Sequence, residues 1–544
     1  MGDLTFLLRK ATVYDGSATT PVVADVGIAG DRTVVVGEAA AAHEIIDCDG
    51  LVLAPGFIDI HGHSDHLLLA NPHAESKLLQ GVTTEVGGNC GFSPGPMVES
   101  VRAEAQADLA EFGLAVNWQT LGEFLDLLQR GGIGLNFACL VGLGNVRAAA
   151  MGYEPRPATR RQIKEMQGAV ATAMREGAVG VSSGLIYPPG MAANADELGE
   201  VCKAAAELGG FYATHMRNEG AELLKSVGEA LEVGKRSGCA VQISHLKATG
   251  EANWGLVEPA LALLDFARAA GMRVAADQYP YTATSTGLYV LLPDWAQEGG
   301  AEAAAERLRD EGARRRAGQQ LLRRSKEDWQ RIRIATVRSE ANRWAEGLTI
   351  TEIARRWESS EAYTVVDLIA AERGHVAMVR FAMSEADVER VMKHRQVMVG
   401  SDAAARATSG PLAAGKPHPR AFGTFPRVLG HYVRERRVIG LGEAIRKMTR
   451  LPAAWLGLED RGVVRRGAYA DLVLFDPERI ADRATYDDPI QPPAGIRSVW
   501  VNGRMVVRDG ELTARFRGGG PPAGRVLRGR IRDSSQQRAD SSAD

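Results

Sequence analysis

Short apolar runs alternate with helix-like segments through the middle of the chain. Eight of these runs have the length and composition of buried parallel strands. They span residues 57–61, 82–88, 136–142, 178–183, 211–215, 240–245, 273–279 and 397–402. Eight strands joined by helical crossovers are the number that closes a (β/α)8 barrel, so the pattern predicts an α/β barrel of the TIM type over residues 54–459.

The two ends of the chain share a different pattern. Residues 1–53 and 460–517 contain short strand-like runs separated by turns, without helical periodicity. Between two of the C-terminal runs stands Asn502-Gly503, a pair typical of tight hairpins. We therefore expect the two ends to pair as one small β domain.

Two further segments depart from the barrel pattern. The stretch between Tyr279 and Val397 is much longer than a plain crossover needs, which predicts an inserted, mostly helical lid subdomain over residues 288–346. A peripheral decoration without contact to the site is the alternative. Residues 518–544 are rich in Gly, Pro, Arg, Ser, Gln and Asp, so we expect this tail to be largely disordered.

Composition narrows the class of protein. The 544 residues are 45% hydrophobic and 24% charged, with a formal net charge of -3, which is typical of a globular protein. No apolar run reaches the ~18 residues that a membrane span needs, and the charge balance gives no argument for nucleic acid. The first residues lack the pattern of a signal peptide, so a cytoplasmic location is the default expectation.

Several residues with metal-binding chemistry fall at the ends of the predicted strands. The set consists of His61, His63, Cys90, His215, His245 and Asp402. In a barrel of this type the carboxyl ends of the strands form one rim, where these side chains would converge. Imidazole and thiolate suit Zn²⁺ better than Mg²⁺ or Ca²⁺. Six candidates allow one tight site with a looser one, or a two-metal centre.

Asp402 has two readings. A carboxylate beside a zinc-bound water can accept its proton and return it to a leaving amine. An Asp after a strand can equally cap the helix that follows. The histidines at the other strand ends favour the first interpretation.

Rival catalytic motifs are weaker. Gly180-Val181-Ser182-Ser183-Gly184 matches a nucleophile elbow and follows a predicted strand, but residues 185–190 have the composition of a loop where the elbow needs a helix. Residues 410–416 approach a phosphate-binding loop, yet Pro417 stands where Ser or Thr should bind Mg²⁺. These departures argue against a serine hydrolase and against a kinase.

Long motifs spread over nearly the whole chain resemble one family. They include Pro-Gly-Phe-Ile-Asp at 55–59 with His61-x-His63-x-Asp65, Gly-Asn-Cys-Gly at 88–91, Tyr-Ala-Thr-His-Met-Arg at 212–217, Ile-Ser-His-Leu-Lys at 243–247 and Lys-Pro-His-Pro-Arg at 416–420. The chain resembles the D-aminoacylase (N-acyl-D-amino-acid deacylase) family of the amidohydrolase superfamily. Cys90 is the most specific match, because most amidohydrolases use a carboxylated lysine or a glutamate there.

The resemblance implies roles for individual residues. Cys90, His215 and His245 would hold a tight zinc, His61 and His63 would flank a second, weaker position, and Asp402 would be the acid/base at the metal. Residues that match the family's substrate pocket and its carboxylate site are Tyr187, Lys247, Tyr279, Ser285 and Arg420. One departure is Ala403, because the family usually has glycine after the aspartate.

The resemblance further implies an enzyme: a zinc-dependent hydrolase that converts N-acyl-D-amino acids to a carboxylate and a free D-amino acid. Another amidohydrolase activity, on a cyclic imide or a dipeptide, is the related alternative, and the 416–420 loop and Cys90 argue against it. A non-catalytic barrel scaffold is the alternative from another class. It predicts missing ligands, and all six are present. The partner expected is therefore a small molecule, with no nucleic acid or membrane, and the oligomeric state stays open.

Overall fold

A computed structural model of the chain describes residues 4–18, 20–37 and 41–529. The first strands form one side of a mixed sheet. They are β1 (Phe6–Val13), β2 (Val22–Ala29), β3 (Arg32–Gly37), β4 (Glu44–Asp47) and β5 (Val52–Pro55). Strand β1 is central, because it pairs antiparallel with β2 and parallel with both β4 and β5.

The next part of the chain contains seven of the eight barrel strands and their crossovers. The strands are β6 (Phe57–Asp59), β7 (Val82–Gly87), β8 (Asn136–Cys139), β9 (Val141–Gly142), β10 (Gly180–Gly184), β11 (Phe211–His215), β12 (Ala240–Ile243) and β13 (Val274–Gln278). Strands β8 and β9 together are the third barrel strand. The helices are α1 (Glu75–Leu78), α2 (Glu99–Ala110), α3 (Leu121–Gly131), α4 (Leu143–Met151), α5 (Arg160–Glu176), α6 (Ala195–Glu207), α7 (Leu223–Ser237) and α8 (Val257–Ala269).

An inserted module follows, with a three-stranded antiparallel sheet of its own. It consists of β14 (Ala283–Gly287), α9 (Asp294–Gln297), α10 (Ala301–Arg307), α11 (Glu311–Leu321), α12 (Lys326–Gln330), β15 (Ile332–Val337), α13 (Ile350–Arg356), α14 (Glu361–Ala371) and β16 (Val376–Phe381). A separate apolar cluster runs from Leu288 to Met378. The predicted bounds of 288–346 were therefore too narrow, because β16 pairs with β14 and completes the same core.

The chain then returns to the barrel. It forms α15 (Glu385–Lys393), β17 (Val397–Val399), α16 (Arg420–Arg427), a π-helical stretch (Val428–Glu435), α17 (Leu441–Met448) and α18 (Arg450–Trp455). Strand β17 pairs in parallel with β13, and just beyond its end the backbone meets the first barrel strand. There the Asp402 amide donates to the His61 carbonyl at 2.7 Å and Gly62 bridges Ala403. All eight predicted strands are present in the predicted order, and the (β/α)8 barrel is confirmed.

The C-terminal strands complete the first sheet. They are β18 (Leu472–Phe475), β19 (Ile496–Val501), β20 (Arg504–Arg508) and β21 (Glu511–Leu512), followed by α19 (Ala514–Arg517). Strand β18 pairs antiparallel with β5, so both chain ends lie in one nine-stranded sheet. Asn502 and Gly503 have φ of 47° and 76°, as a tight hairpin between β19 and β20 requires.

The described part of the tail, residues 518–529, contacts the barrel. Val526 bridges Phe137 of β8, and the Leu527 amide donates to the Phe137 carbonyl at 2.7 Å. Further out, the Gly529 amide donates to the Gly177 carbonyl at 3.0 Å. Composition did not reveal these backbone contacts because they need little apolar side-chain surface. Residues 530–544 lie outside the described part of the chain.

Candidate metal centre and active site

Six side chains at the carboxyl ends of the barrel strands form two groups that share one residue. The first group is His61, His63, Cys90 and Asp402, and the second is Cys90, His215 and His245. Within each group the candidate ligand atoms lie within 4.8 Å of one another. The structure thus brings all six predicted residues together, with the Cys90 sulfur common to both groups.

The Cys90–His215–His245 group comes close to the spacing of a tetrahedral zinc site. His245 Nε2 lies 3.0 Å from His215 Nδ1 and 3.7 Å from Cys90 Sγ. Ligands at ordinary zinc distances in a tetrahedron stand about 3.3–3.6 Å apart. The two distances lie just outside this range, one on either side, so small shifts of the side chains would give the tetrahedral spacing. The donor set therefore fits zinc.

The second group lies on the other side of Cys90. His61 Nε2 is 3.4 Å from Cys90 Sγ and 3.4 Å from Asp402 Oδ1, and His63 Nε2 is 2.9 Å from the same Asp402 oxygen. His61 and His63 reach this point together because they follow β6 two residues apart and so point to the same side. Gly62 between them is tightly packed, since a Cβ there would stand 2.0 Å from Glu85 Oε1.

Two carboxylates behind the histidines were not predicted. His61 Nδ1 pairs with Asp277 Oδ1 at 3.0 Å, and His245 Nδ1 lies 2.9 Å from Glu219 Oε1. Asp277 is on β13, two residues before Tyr279, and Glu219 follows His215 by four residues. An acidic residue near the end of a barrel strand was the available signal in both cases, but neither spacing is specific without the fold.

The backbone is strained at three of the six residues. Cys90, His245 and Asp402 have φ of 53°, 36° and 51°, in the left-handed region that non-glycine residues rarely adopt. Such residues cost about 1–3 kcal/mol each and cluster at functional sites. The surrounding barrel must over-determine these conformations.

A buried ion network lies directly beneath the site. Lys77 Nζ donates to Asp59 Oδ2 at 2.6 Å, to Ser401 Oγ at 2.8 Å and to the Ala403 carbonyl at 2.8 Å. All four residues are buried, so the charges are paired within the barrel. The network ties the first strand to the loop after the eighth strand, and therefore sets the position of Asp402.

Electrostatics favour the anionic forms of two of the six residues. Burial by itself would raise the pKa of Cys90, but His61, His215 and His245 bring it well below its usual range. Burial opposes ionisation of Asp402 in the same way, and Arg420 with His245 holds its pKa well below the ordinary value. A thiolate ligand and an ionised carboxylate are the forms that metal binding and base catalysis require.

The predicted substrate-binding residues line one cavity with the metal candidates. This cavity of about 1410 Å³ lies between the barrel mouth and the inserted module. Its walls include Tyr187, Lys247, Tyr279, Ser285 and Arg420, together with His63, Cys90, His215, His245 and Asp402. His61 is fully buried and is absent from the cavity wall.

Arg420 links the cavity to the acid/base candidate. Its Nη1 lies 2.8 Å from Asp402 Oδ2, its Nη2 donates to the Ser285 carbonyl at 3.3 Å, and its guanidinium stands 4.7 Å from the centre of the Tyr279 ring. Lys247 donates to Glu219 Oε1 at 2.6 Å. Tyr187 shares a hydrogen bond with Thr286 of the inserted module at 2.9 Å.

The local structure after β10 and after Asp402 decides two open points. No α-helix follows β10 directly, since α6 begins at Ala195. The serine at the centre of the motif, Ser182, is fully buried, and its Oγ donates to the Gly88 carbonyl and accepts from the Gly91 amide, so the nucleophile-elbow reading fails. Ala403 has no left-handed φ, and it packs in a small apolar cluster with Ala421 and Phe422. The alanine is thus accommodated beside Asp402.

Comparison with known proteins places the fold and site in one family. The amidohydrolase family model matches residues 44–507. The chain belongs to this family, within its D-aminoacylase branch. It is 37% identical to the D-aminoacylase of Alcaligenes xylosoxydans xylosoxydans over 525 residues, covering 96% of this chain and 97% of that protein.

Two solved structures are similar over nearly the whole length. One is N-acyl-D-glutamate deacylase from Bordetella bronchiseptica in complex with zinc and a phosphonate inhibitor that mimics the tetrahedral intermediate. It is 35% identical, with a TM-score of 0.82 over 97% of this chain and all of that chain. The other is a D-aminoacylase whose binuclear metal centre shows one-metal activation and second-metal attenuation. It is 36% identical, with a TM-score of 0.80 over 96% of this chain and 100% of that one.

No helix in the described part of the chain has both the length and the apolar character to cross a membrane.

Proposed function

We propose that this protein hydrolyses the amide bond of N-acyl-D-amino acids and releases a carboxylate and a free D-amino acid. The observation that carries the proposal is the meeting of Cys90, two histidines and Asp402 at the wall of a cavity that also exposes Arg420. The D-aminoacylase relative and the deacylase bound to zinc and a tetrahedral-intermediate mimic support the same reaction.

Two sets of residues would hold metal in this site. Cys90, His215 and His245 would hold the tighter zinc, and His61, His63 and Asp402 would flank a weaker second position across the same sulfur. The activation by one metal and attenuation by a second in the solved D-aminoacylase is consistent with this division. When bound, zinc supplies a Lewis acid and lowers the pKa of a coordinated water.

Asp402 is the acid/base. Its carboxylate is ionised, accepts a proton from the attacking water and returns that proton to the nitrogen of the leaving amine. Before substrate binds, Arg420 pairs with Asp402 Oδ2 and lowers its proton affinity. A substrate carboxylate that shares the guanidinium would weaken this pairing, so that Asp402 becomes a better base once the cavity is filled.

The carboxylate of the substrate is received by Arg420. A guanidinium offers parallel donors that match two carboxylate oxygens, and Lys247, Tyr279 and Ser285 supply further polar contacts at the same wall. Anchoring this carboxylate and the acyl carbonyl fixes two groups around the chiral carbon. One enantiomer alone can then direct its side chain into the free part of the cavity, and the family relationship indicates the D form.

A substrate panel tests the function directly. N-acetyl D- and L-amino acids are assayed with the purified protein, with a zinc chelator, and after zinc is added back. We expect turnover of the D series, loss with chelator and recovery with zinc. Asp402→Asn protein prepared in parallel controls for contaminating hydrolases. Faster turnover of the L series, or activity that persists without metal, would refute the proposal.

A further inference from the structure

Glu219 occupies a position behind the metal candidates that no motif marks. It lies in the loop between β11 and α7, four residues after His215, and its side chain is only 11% exposed. A single carboxylate oxygen, Oε1, lies 2.9 Å from His245 Nδ1 and 2.6 Å from Lys247 Nζ. One carboxylate thus contacts a metal candidate and a substrate-binding candidate at the same time.

The other carboxylate oxygen is directed towards the remaining histidine of the group. Glu219 Oε2 lies 3.8 Å from His215 Nε2. That nitrogen is buried and has no hydrogen-bond partner among the described residues. A small rotation of the carboxylate, or of the imidazole as it takes up a metal, would close this gap.

The two ring nitrogens of each histidine face different groups. His245 Nε2 and His215 Nδ1 face each other, with Cys90 Sγ next to the former, while His245 Nδ1 and His215 Nε2 face Glu219. A histidine that binds metal through one nitrogen carries its proton on the other, and a carboxylate acceptor there fixes the tautomer and makes the ring a stronger ligand. Glu219 is placed to do this for both rings: His215 Nε2 has no hydrogen-bond partner among the described residues, and His245 Nδ1 lies 2.9 Å from Glu219 Oε1 and 2.8 Å from Lys247 Nζ, which the same carboxylate binds.

We propose that Glu219 is a positioning residue: it holds His215 and His245 in the tautomers that bind metal and orients Lys247 towards the substrate carboxylate. The role of Lys247 rests on the proposed function, whereas the role towards the two histidines depends only on their binding a metal. Metal affinity and substrate affinity are therefore coupled through one side chain.

The test compares Glu219→Gln with Glu222→Gln. Gln at 219 keeps the shape of the side chain but loses the charge, and Glu222 on the same loop is an exposed matched control that contacts Lys225. Zinc affinity is measured on metal-free protein by competition with a chromophoric chelator. Carboxylates behind metal ligands are worth about 10–100-fold in affinity, so we expect that loss for Glu219→Gln and none for Glu222→Gln.

Cobalt substitution provides a readout that needs no substrate. Co²⁺ bound to Cys90 and the two histidines has thiolate charge-transfer and ligand-field bands, which should shift in Glu219→Gln and stay unchanged in Glu222→Gln. Near-ultraviolet circular dichroism of the metal-free variants checks that both are folded. Equal zinc affinity and identical cobalt spectra for the two variants would overturn the proposal.

A third variant separates the contact of Glu219 with Lys247 from its contacts with the two histidines. Lys247→Met should keep the zinc affinity and raise KM, whereas Glu219→Gln should change both. A Lys247→Met variant that loses zinc as strongly as Glu219→Gln would show that the ion pair, and not the carboxylate, supports the histidines, and would overturn the assignment. If wild-type protein binds zinc in this way but hydrolyses no N-acyl-D-amino acid, the proposed function fails while the role of Glu219 towards the metal stands.

Discussion

The barrel rim and the inserted module face the same cavity but are built in different ways. Rim residues such as Cys90 and Asp402 are buried, strained and held by paired charges beneath them. The module has its own apolar core and contacts the barrel side of the cavity through polar pairs, such as Arg338 with Asp108 and Thr286 with Tyr187. The strained rim is suited to placing reacting groups, and the module to covering them.

The difference predicts where substitutions act. Changes at the rim should remove metal or chemistry because several strands converge on each side chain. Changes at Arg420, between the rim and the substrate cavity, should affect substrate affinity. Changes in the module should alter its local stability with little effect on the chemical step.

The largest effect is expected for Cys90→Ala, because this sulfur belongs to both groups of metal candidates. Zinc content, measured by elemental analysis, should fall from full occupancy to near background, and activity should fall with it. Cys139→Ala is the matched control, since Cys139 is also buried but lies outside both groups. Full zinc occupancy in the Cys90 variant would remove this residue from the site.

Asp402→Asn should separate chemistry from metal binding at the rim. Asn tolerates the left-handed backbone that residue 402 adopts, but it cannot accept the proton of the attacking water. We expect kcat to fall ~10²- to 10⁴-fold while zinc remains bound at the tighter site. Near-wild-type kcat would show that Asp402 serves only to shape the loop after β17.

Arg420→Lys tests the residue that links Asp402 at the rim to the substrate cavity. A point charge cannot reproduce the two parallel donors, and loss of one charge-assisted hydrogen bond costs about 1.5–3 kcal/mol, so KM for N-acetyl-D-amino acids should rise about tenfold or more. The corresponding amino-acid amides should be affected far less. Lys416→Met, in the loop just before α16, is the control. Equal losses on acids and amides would contradict the assignment.

The smallest effect is expected within the module. Arg338→Ala removes a partly exposed ion pair to Asp108 on α2, worth about 0.2–1 kcal/mol. Hydrogen exchange across residues 283–381 should become faster, and a bound D-amino acid product should slow it again. Arg314→Ala, which breaks an ion pair between two module helices, is the comparison. Exchange that is unchanged by product would make the module a decoration.

The sequence predicted the metal and acid/base candidates at the rim, but it did not predict the carboxylates that contact them. Strand periodicity placed His61 and His63 on one side of a strand, and the barrel rule brought the other strand ends to the same rim. Glu219 and Asp277 were missed because a carboxylate behind a ligand needs no fixed spacing from it. Their roles follow from contacts between different strands and loops, which no local pattern records.

Local sequence patterns also did not predict the extent of the module or the contacts of the described part of the tail. Strand β16 belongs to the module because Val379 pairs with Ser285, far away in the chain. The described part of the tail contacts the barrel because Val526 bridges Phe137 and the Leu527 amide donates to the Phe137 carbonyl. Backbone pairing of this kind depends on which edges are free in the folded molecule, and composition does not report that.

The sequence by itself determined the barrel, the sheet made from both chain ends and the identity of the metal and acid/base candidates, because strand period and residue chemistry are local properties. Only the tertiary structure decided that Cys90 is common to two groups, that Arg420 pairs with Asp402, and that Glu219 joins His245 to Lys247. These relations are distances between side chains from separate strands and loops, and they exist only once the barrel has closed.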